Sequence, residues 1–205
     1  MASLLLQINA IRLSPDKPFT WSSGWKSPIY CDNRLTLSFP EIRTFIKENL
    51  AAIIREKFSQ TELIAGVATA GIAHGALVAE YLETPFCYVR ASAKDHGLQN
   101  RIEGLALPNQ QAVVVEDLLS TGGSSLSVVE ELRRNKIRVT GLVAIFSYGF
   151  PVAEKKFSEA GAPFYTLTDY EVLLQQAVTQ KIIQSHQLEE LKQWRSSPEK
   201  WRVNG

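Results

Sequence analysis

Apolar residues recur along this chain with two different periods, and the alternation of those periods outlines an architecture. In "FPEIRTFIKENLAAIIREKF" (39–58), Ile42, Ile46, Leu50, Ile53 and Ile54 fall at three- and four-residue spacings with charges between them, and Pro40 stands near the start. That is the signature of an amphipathic helix. Four continuous apolar runs read instead as buried strands: "ELIAGVA" (62–68), "FCYV" (86–89), "QAVVVE" (111–116) and "IRVTGLVAIFS" (137–147). Between them "GIAHGALVAEYL" (71–82) and "SSLSVVEELRRN" (124–135) read as helices. Continuous apolar strands separated by helices predict an α/β fold, a parallel sheet covered on both faces. "MASLLLQINAIRLS" (1–14) reads as a short amphipathic helix, and the tail from "TDYEVLLQQAV" to "HQLEELKQWRSSPEKW" as helices packed on the body. With no repeat or low-complexity linker to divide it, the chain reads as one domain over residues 1–205.

Charge adds little to this picture. The 22 basic and 21 acidic side chains nearly cancel, so the overall field gives no reason to expect a nucleic-acid or membrane partner. Cys31 and Cys87 are too few for a disulfide framework and have no C-x-x-C spacing, and no signal peptide or long apolar run is visible. A cytoplasmic setting is the expectation.

Two polar stretches carry the chemistry. Residues 90–109, "RASAKDHGLQNRIEGLALPN", form a connection too long for a compact domain and hold Arg90, Lys94, His96 and Arg101. The segment reads either as a solvated excursion or as a lid that closes basic groups over an anion, hinged at Gly97 and Gly104. In "VVVEDLLSTGGSS" (113–125), a β-branched strand releases its chain into two acids and then a turn of hydroxyls and glycines. Ligands of open α/β sheets bind beyond such strand ends. Gly122 and Gly123 let the backbone approach a ligand, while Ser120, Thr121, Ser124 and the following helix amides can hold a phosphate. Glu116 and Asp117 would repel that phosphate, so they are expected to face ribose hydroxyls and a sugar carbon gaining positive charge. The plain alternative is an N-capped helix.

The same stretch resembles the phosphoribosyl pyrophosphate (PRPP) signature of type I phosphoribosyltransferases. "FTWSSGWKSPIYCDNR" (19–34) resembles the base-covering hood of the orotate branch of that family, "VATAGIAHGALVA" (67–79) its pyrophosphate loop, and "KDHG" (94–97) the core of its mobile catalytic loop. The resemblance implies the type I fold: a mostly parallel central sheet flanked by helices, with a small hood built from about 1–38 plus C-terminal segments. It also implies transfer of the 5-phosphoribosyl group from PRPP to N1 of orotate. The products are orotidine 5'-monophosphate and pyrophosphate, in pyrimidine (UMP) biosynthesis. Mg²⁺ is the implied cofactor, held mainly by PRPP itself. By matching position, Lys94, Glu116 and Asp117 are the implied catalytic residues. Thr69, Ala70, Gly71, Arg90, Lys94 and His96 are implied at the pyrophosphate, and Ser120, Thr121, Gly122, Gly123 and Ser124 at the 5'-phosphate, with Leu118 and Leu119 in the same PRPP-binding run. Orotate is assigned to Ser120, Lys26, Tyr30 and Arg34. A homodimer is implied, with each lid closing its partner's site.

The chain also departs from the better-known bacterial pattern. Ser22, Ala70 and Ala91 stand where lysines are familiar, Cys31 replaces an aromatic, and Tyr148 falls where an arginine reads the orotate carboxylate. A phenol cannot make the bidentate bridge of a guanidinium, which is why Lys26 or Arg34 is assigned that task. His74 reads as a packed or capping histidine, His186 as surface, and Cys31 as apolar wall. Trp21 and Trp25 read as core aromatics, or as contacts to the base or a facing subunit. Two other functions share the motif, transfer to another base such as a purine and PRPP sensing by a regulator. The "SPIYCDNR" hood and the "KDHG" lid favour orotate transfer.

Overall fold

The computed structural model describes residues 1–20, 24, 26–92 and 101–201. In chain order the elements are α1 (Ala2–Gln7), β1 (Ile11–Leu13), β2 (Phe19–Thr20), β3 (Lys26–Ser27), β4 (Ile29–Cys31), a 3-10 helix (Asn33–Ser38), α2 (Pro40–Lys57) and β5 (Leu63–Val67). Then come α3 (Ala70–Leu82), β6 (Phe86–Val89), β7 (Ile102–Glu103), β8 (Gln111–Leu119), α4 (Gly123–Arg134) and β9 (Arg138–Ser147). The chain closes with α5 (Pro151–Glu159), β10 (Phe164–Asp169), α6 (Tyr170–Thr179) and α7 (Gln187–Ser196).

Six strands form the central sheet in the order β10-β9-β8-β5-β6-β7. All neighbours are parallel except the edge pair β6–β7. The continuous apolar runs are explained by the alternation of strand side chains between two faces. Leu63, Ala65, Val67, Ala112, Val114, Leu142 and Ala144 enter a core with α4 and α5. Their neighbours Ile64, Val113, Val115, Val143 and Ile145 enter a second core with α1, α2, α3, α6 and α7. A strand buried on both faces has no position left for polar alternation.

Three expectations change. The helix expected over 1–14 stops at Gln7, because Asn9 turns left-handed at φ 57° and the chain re-enters as β1, paired antiparallel with β4. The strand expected to end at Glu116 runs on to Leu119, since Leu118 and Leu119 still pair with Phe146 and Ser147 of β9. Within the 90–109 connection, Ile102–Glu103 forms β7 against β6, and Gly104, expected as a hinge, follows it at φ 104°, where a Cβ would stand 3.1 Å from the Phe86 carbonyl oxygen. Residues 151–167, for which no element was predicted, form α5 and most of β10, whose last two residues, Thr168 and Asp169, were expected to begin the helical tail. No helix among the described residues is long and apolar enough to cross a membrane.

Candidate active site

The C-terminal end of β8 carries the acidic pair, and strand alternation sends the two carboxylates to different surroundings. Glu116 follows Val114 toward α4, where it is only 5% exposed. One of its oxygens accepts from the Asp117 amide at 3.0 Å and the other from the Ser125 hydroxyl at 3.1 Å. Burial, and then the negative charge of Asp117, push its carboxyl well above the usual carboxylate range. Asp117 turns toward the hood and is half-buried, and desolvation raises its pKa as well. Two carboxylates that burial disfavours as anions are stabilised when positive charge arrives beside them.

Beyond the pair the chain turns through Ser120–Gly122 into α4. Gly122 sits at φ 78°, and a Cβ there would stand 2.8 Å from the Phe157 ring, so both backbone and space call for glycine. No side-chain hydrogen bond caps the start of α4. Its first amides therefore point toward the hollow, a favourable place for a phosphate. Across that hollow, Thr69 precedes α3, with Ala70 and Gly71 in its first turn, and the Ala68–Thr69 peptide is cis. Gly71 lies so close to β8 that a Cβ would be 2.5 Å from the Val115 carbonyl oxygen. A cleft of about 310 Å³ is lined by Thr69, Ala70, Glu116, Asp117, Leu118 and the run Ser120–Ser125. It joins two glycine-containing backbone turns across a pair of acids.

The segment before α2 reaches the Asp117 side of this cleft through Asn33, whose Nδ2 donates to the Asp117 carbonyl at 2.8 Å. Lys26, in the β2–β3 hairpin, donates from Nζ to Thr20 Oγ1 at 3.1 Å. Tyr30 in β4 lies under the Arg12 guanidinium, 4.9 Å from its ring centre. Arg34 is held by both Asp32 oxygens, at 2.7 Å and 2.9 Å, which raises its pKa and lowers that of Asp32. Arg90, just past β6, approaches Glu103 at 3.7 Å. Lys94, His96 and Gly97 lie outside the described residues, as do Trp21, Ser22 and Trp25.

Residues 38–166 match the phosphoribosyl transferase domain. The chain is 52% identical to the orotate phosphoribosyltransferase of Porphyromonas gingivalis, over 99% of its own length and 97% of that protein's. It is 52% identical to the orotate phosphoribosyltransferase of Bacillus caldolyticus, over 98% of this chain and 97% of the other. Among solved structures it is similar to the orotate phosphoribosyltransferase of Aeropyrum pernix, with a TM-score of 0.76 and 26% identity over 85% of this chain and 96% of that one. The chain belongs to the orotate phosphoribosyltransferase family.

For an orotate phosphoribosyltransferase, the structure gathers the expected residues unevenly. Thr69, Ala70 and the run from Glu116 to Ser124 meet around one cleft, apart from Leu119, which is in the core, while Gly71 packs behind it against β8 and Lys26, Tyr30, Arg34 and Arg90 sit in other elements. Arg101, read as part of the lid, is instead anchored: it donates to the Arg90 carbonyl at 2.8 Å and the Ser127 hydroxyl at 3.1 Å, and pairs with Glu131 at 3.4 Å. Tyr148 is 3% exposed and packs in an aromatic cluster with Phe146, Phe150, Tyr170 and Trp194. Cys31 is buried enough that its thiol pKa rises, as suits a wall rather than a nucleophile. His74 is buried in α3 and His186 is exposed before α7. Sequence reading missed Ser125 and Asn33. Ser125 was within reach, since the first turn of a helix after a tight loop faces back to the strand end. Asn33 contacts residues 84 positions away, which no local pattern reveals.

Proposed function

We infer that this chain transfers the 5-phosphoribosyl group of PRPP to N1 of orotate, releasing pyrophosphate and forming orotidine 5'-monophosphate for pyrimidine biosynthesis. The observation that carries this reading is the acidic pair Glu116–Asp117 set between a phosphate-binding helix start and the Thr69–Gly71 turn, in a chain of this family. In that arrangement the Ser120–Ser124 turn binds the 5'-phosphate, and the backbone of Thr69, Ala70 and Gly71 receives the pyrophosphate. Asp117 faces the ribose, where its charge opposes the positive charge that develops at C1 as the leaving group departs. Glu116, braced by Ser125, sets the local field and orients Asp117 through its amide.

Mg²⁺ fits these residues because Asp117 supplies hard oxygen at the cleft wall, and because the raised carboxyl pKa values mark a place where added positive charge is favourable. When bound with PRPP, the ion neutralises the departing pyrophosphate. Arg90, Lys94 and His96 are assigned to the lid that covers this charge and excludes water. The chain is treated as one domain with a hood, working in the cytoplasm, where its two free cysteines stay reduced. Lys26 or Arg34 is assigned to the orotate carboxylate. The burial of Tyr148 in its aromatic cluster supports looking to the hood for that contact.

Incubation with PRPP, Mg²⁺ and orotate, following the loss of orotate absorbance, tests the activity; a folded protein that binds PRPP and leaves orotate unchanged would refute it. The shared lid is tested with mixed dimers of Asp117→Asn and Lys94→Ala chains. If Lys94 crosses the interface, each mixed dimer holds one intact site, and random exchange restores roughly a quarter of wild-type activity. No recovery would assign Lys94 to its own chain's site.

A further inference from the structure

Asn33 ties the segment before α2 to the strand that carries Asp117. Asn33 is 0% exposed, at the start of the 3-10 helix, and its Nδ2 donates to the main-chain carbonyl of Asp117 at 2.8 Å. Its own Oδ1 lies 3.4 Å from the Cys31 thiol, and its carbonyl accepts from the Thr36 hydroxyl at 2.6 Å. Thr36, also 0% exposed, has a single hydroxyl proton, and that proton is committed to Asn33. Its contact with His74 Nε2 at 3.4 Å therefore requires the histidine to donate, so the ring carries its proton on Nε2. Burial lowers the His74 pKa to about 4, which keeps the ring neutral with its other nitrogen as acceptor. His74 belongs to α3, whose first turn is the Thr69–Gly71 pyrophosphate loop. A buried polar chain thus runs from that helix through the hood to the backbone of Asp117.

A carbonyl inside a parallel sheet normally bonds to its neighbouring strand. The register between β8 and β9 matches Glu116 with Ala144 and Leu118 with Phe146. Near the end of β8, the Asp117 carbonyl also accepts from a side chain 84 residues earlier, the buried Asn33 amide. Rotating the Asp117 peptide would swing its carboxylate relative to the ribose. A buried bond to that carbonyl resists such a rotation, because breaking it would leave the Asn33 amide unpaired inside the protein.

We propose that Asn33 is a positioning residue for the transfer reaction: it fixes the direction of the Asp117 carboxylate and makes that direction depend on the hood and, through Thr36 and His74, on the pyrophosphate helix. The proposal rests on the reading that Asp117 acts at the ribose. It does not place Asn33 in contact with substrate, so its loss changes turnover rather than PRPP affinity.

The test compares Asn33→Ala with Asn33→Leu, which fills the same space without a donor, and combines each with Asp117→Asn. The variants are assayed for kcat, KM for orotate and Kd for PRPP, with folding followed by circular dichroism. Displacing a reacting group by a fraction of an ångström to 1 Å is expected to lower kcat by roughly tenfold to a hundredfold, with PRPP Kd unchanged within about twofold. If Asn33 works through Asp117, removing it from the Asp117→Asn protein lowers kcat by less than about threefold more. Multiplicative losses in the double variant would overturn the proposal, as would a fall in PRPP affinity equal to the fall in kcat. Should both Asn33 variants lose their fold, the residue belongs to stability and the positioning role is refuted. A wild-type kcat in Asp117→Asn alone would refute the reading of Asp117 instead, and is distinguished by that single variant.

Discussion

Replacing Gly71 by alanine sets two effects against each other. Gly71 is in the first turn of α3, where alanine is intrinsically better than glycine by about 1 kcal/mol, so a tolerant site would be stabilised. The site is not tolerant. The new Cβ would stand 2.5 Å from the Val115 carbonyl oxygen and 3.3 Å from Cα of Glu116. Ordinary contact begins at 3.4 Å, so the start of α3 must withdraw by about 0.9 Å (3.4 − 2.5). The strand cannot yield instead, because Val115 is paired with Gly66 of β5 on one side and Val143 of β9 on the other. Such overpacking costs roughly 1–3 kcal/mol, so against the propensity gain the net loss is up to about 2 kcal/mol and the melting temperature falls by up to about 8 °C. The same withdrawal moves the Thr69–Gly71 turn away from the acidic pair, and a misplacement near 1 Å is expected to lower kcat/KM by about tenfold to a hundredfold. Steady-state assays at varied PRPP, together with thermal melts, measure both. A Gly71→Ala protein that melts higher and turns over within twofold of wild type would show that α3 and β8 are not in the tight contact described.

Asp117→Asn is expected to lower kcat roughly tenfold to a thousandfold with an unchanged circular dichroism spectrum, and near-normal turnover would remove the carboxylate from the mechanism. At the base, uracil is expected to be a far poorer acceptor than orotate, and substituting whichever of Lys26 or Arg34 reads the carboxylate should narrow that gap by slowing orotate alone; full preference in both Lys26→Ala and Arg34→Ala would place the contact elsewhere. His74 supplies a pH signature: its folded pKa of about 4 lies below the 6.5 of an unperturbed histidine, so its stabilising effect is complete above about pH 6.5 and is lost as the pH falls toward 4. That window corresponds to about 3 kcal/mol, so urea unfolding between pH 7 and 4.5 should weaken more steeply in wild type than in His74→Gln, and parallel curves would contradict it. Glu116, with its raised pKa, acts in the opposite sense, which is why the comparison with His74→Gln is needed.

The alternation of apolar periods determined the α/β class, because a strand covered on both faces must be apolar at every position and a covering helix only along one stripe. The start of the sheet and the helices that alternate with it fall within a residue or two of where the pattern puts them. The turn after β8 was equally legible as a place where acids, hydroxyls and glycines gather, since they lie within one stretch, and in the fold that stretch lines one cleft with Thr69 and Ala70. Three things were decided only by tertiary structure. The strand continued past Glu116 because β9 offered further pairing, a partner no local pattern names. Arg101 left the basic lid because Ser127 and Glu131 claimed it, and Tyr148 is enclosed by four aromatic rings. Asn33 entered the site from the hood by a bond spanning 84 residues. Sequence determines what a residue can do locally, through period, charge and backbone freedom. Which long-range partner desolvates it, bonds it or leaves it facing the cleft is set by the folded surroundings, where burial and pairing outweigh local preference.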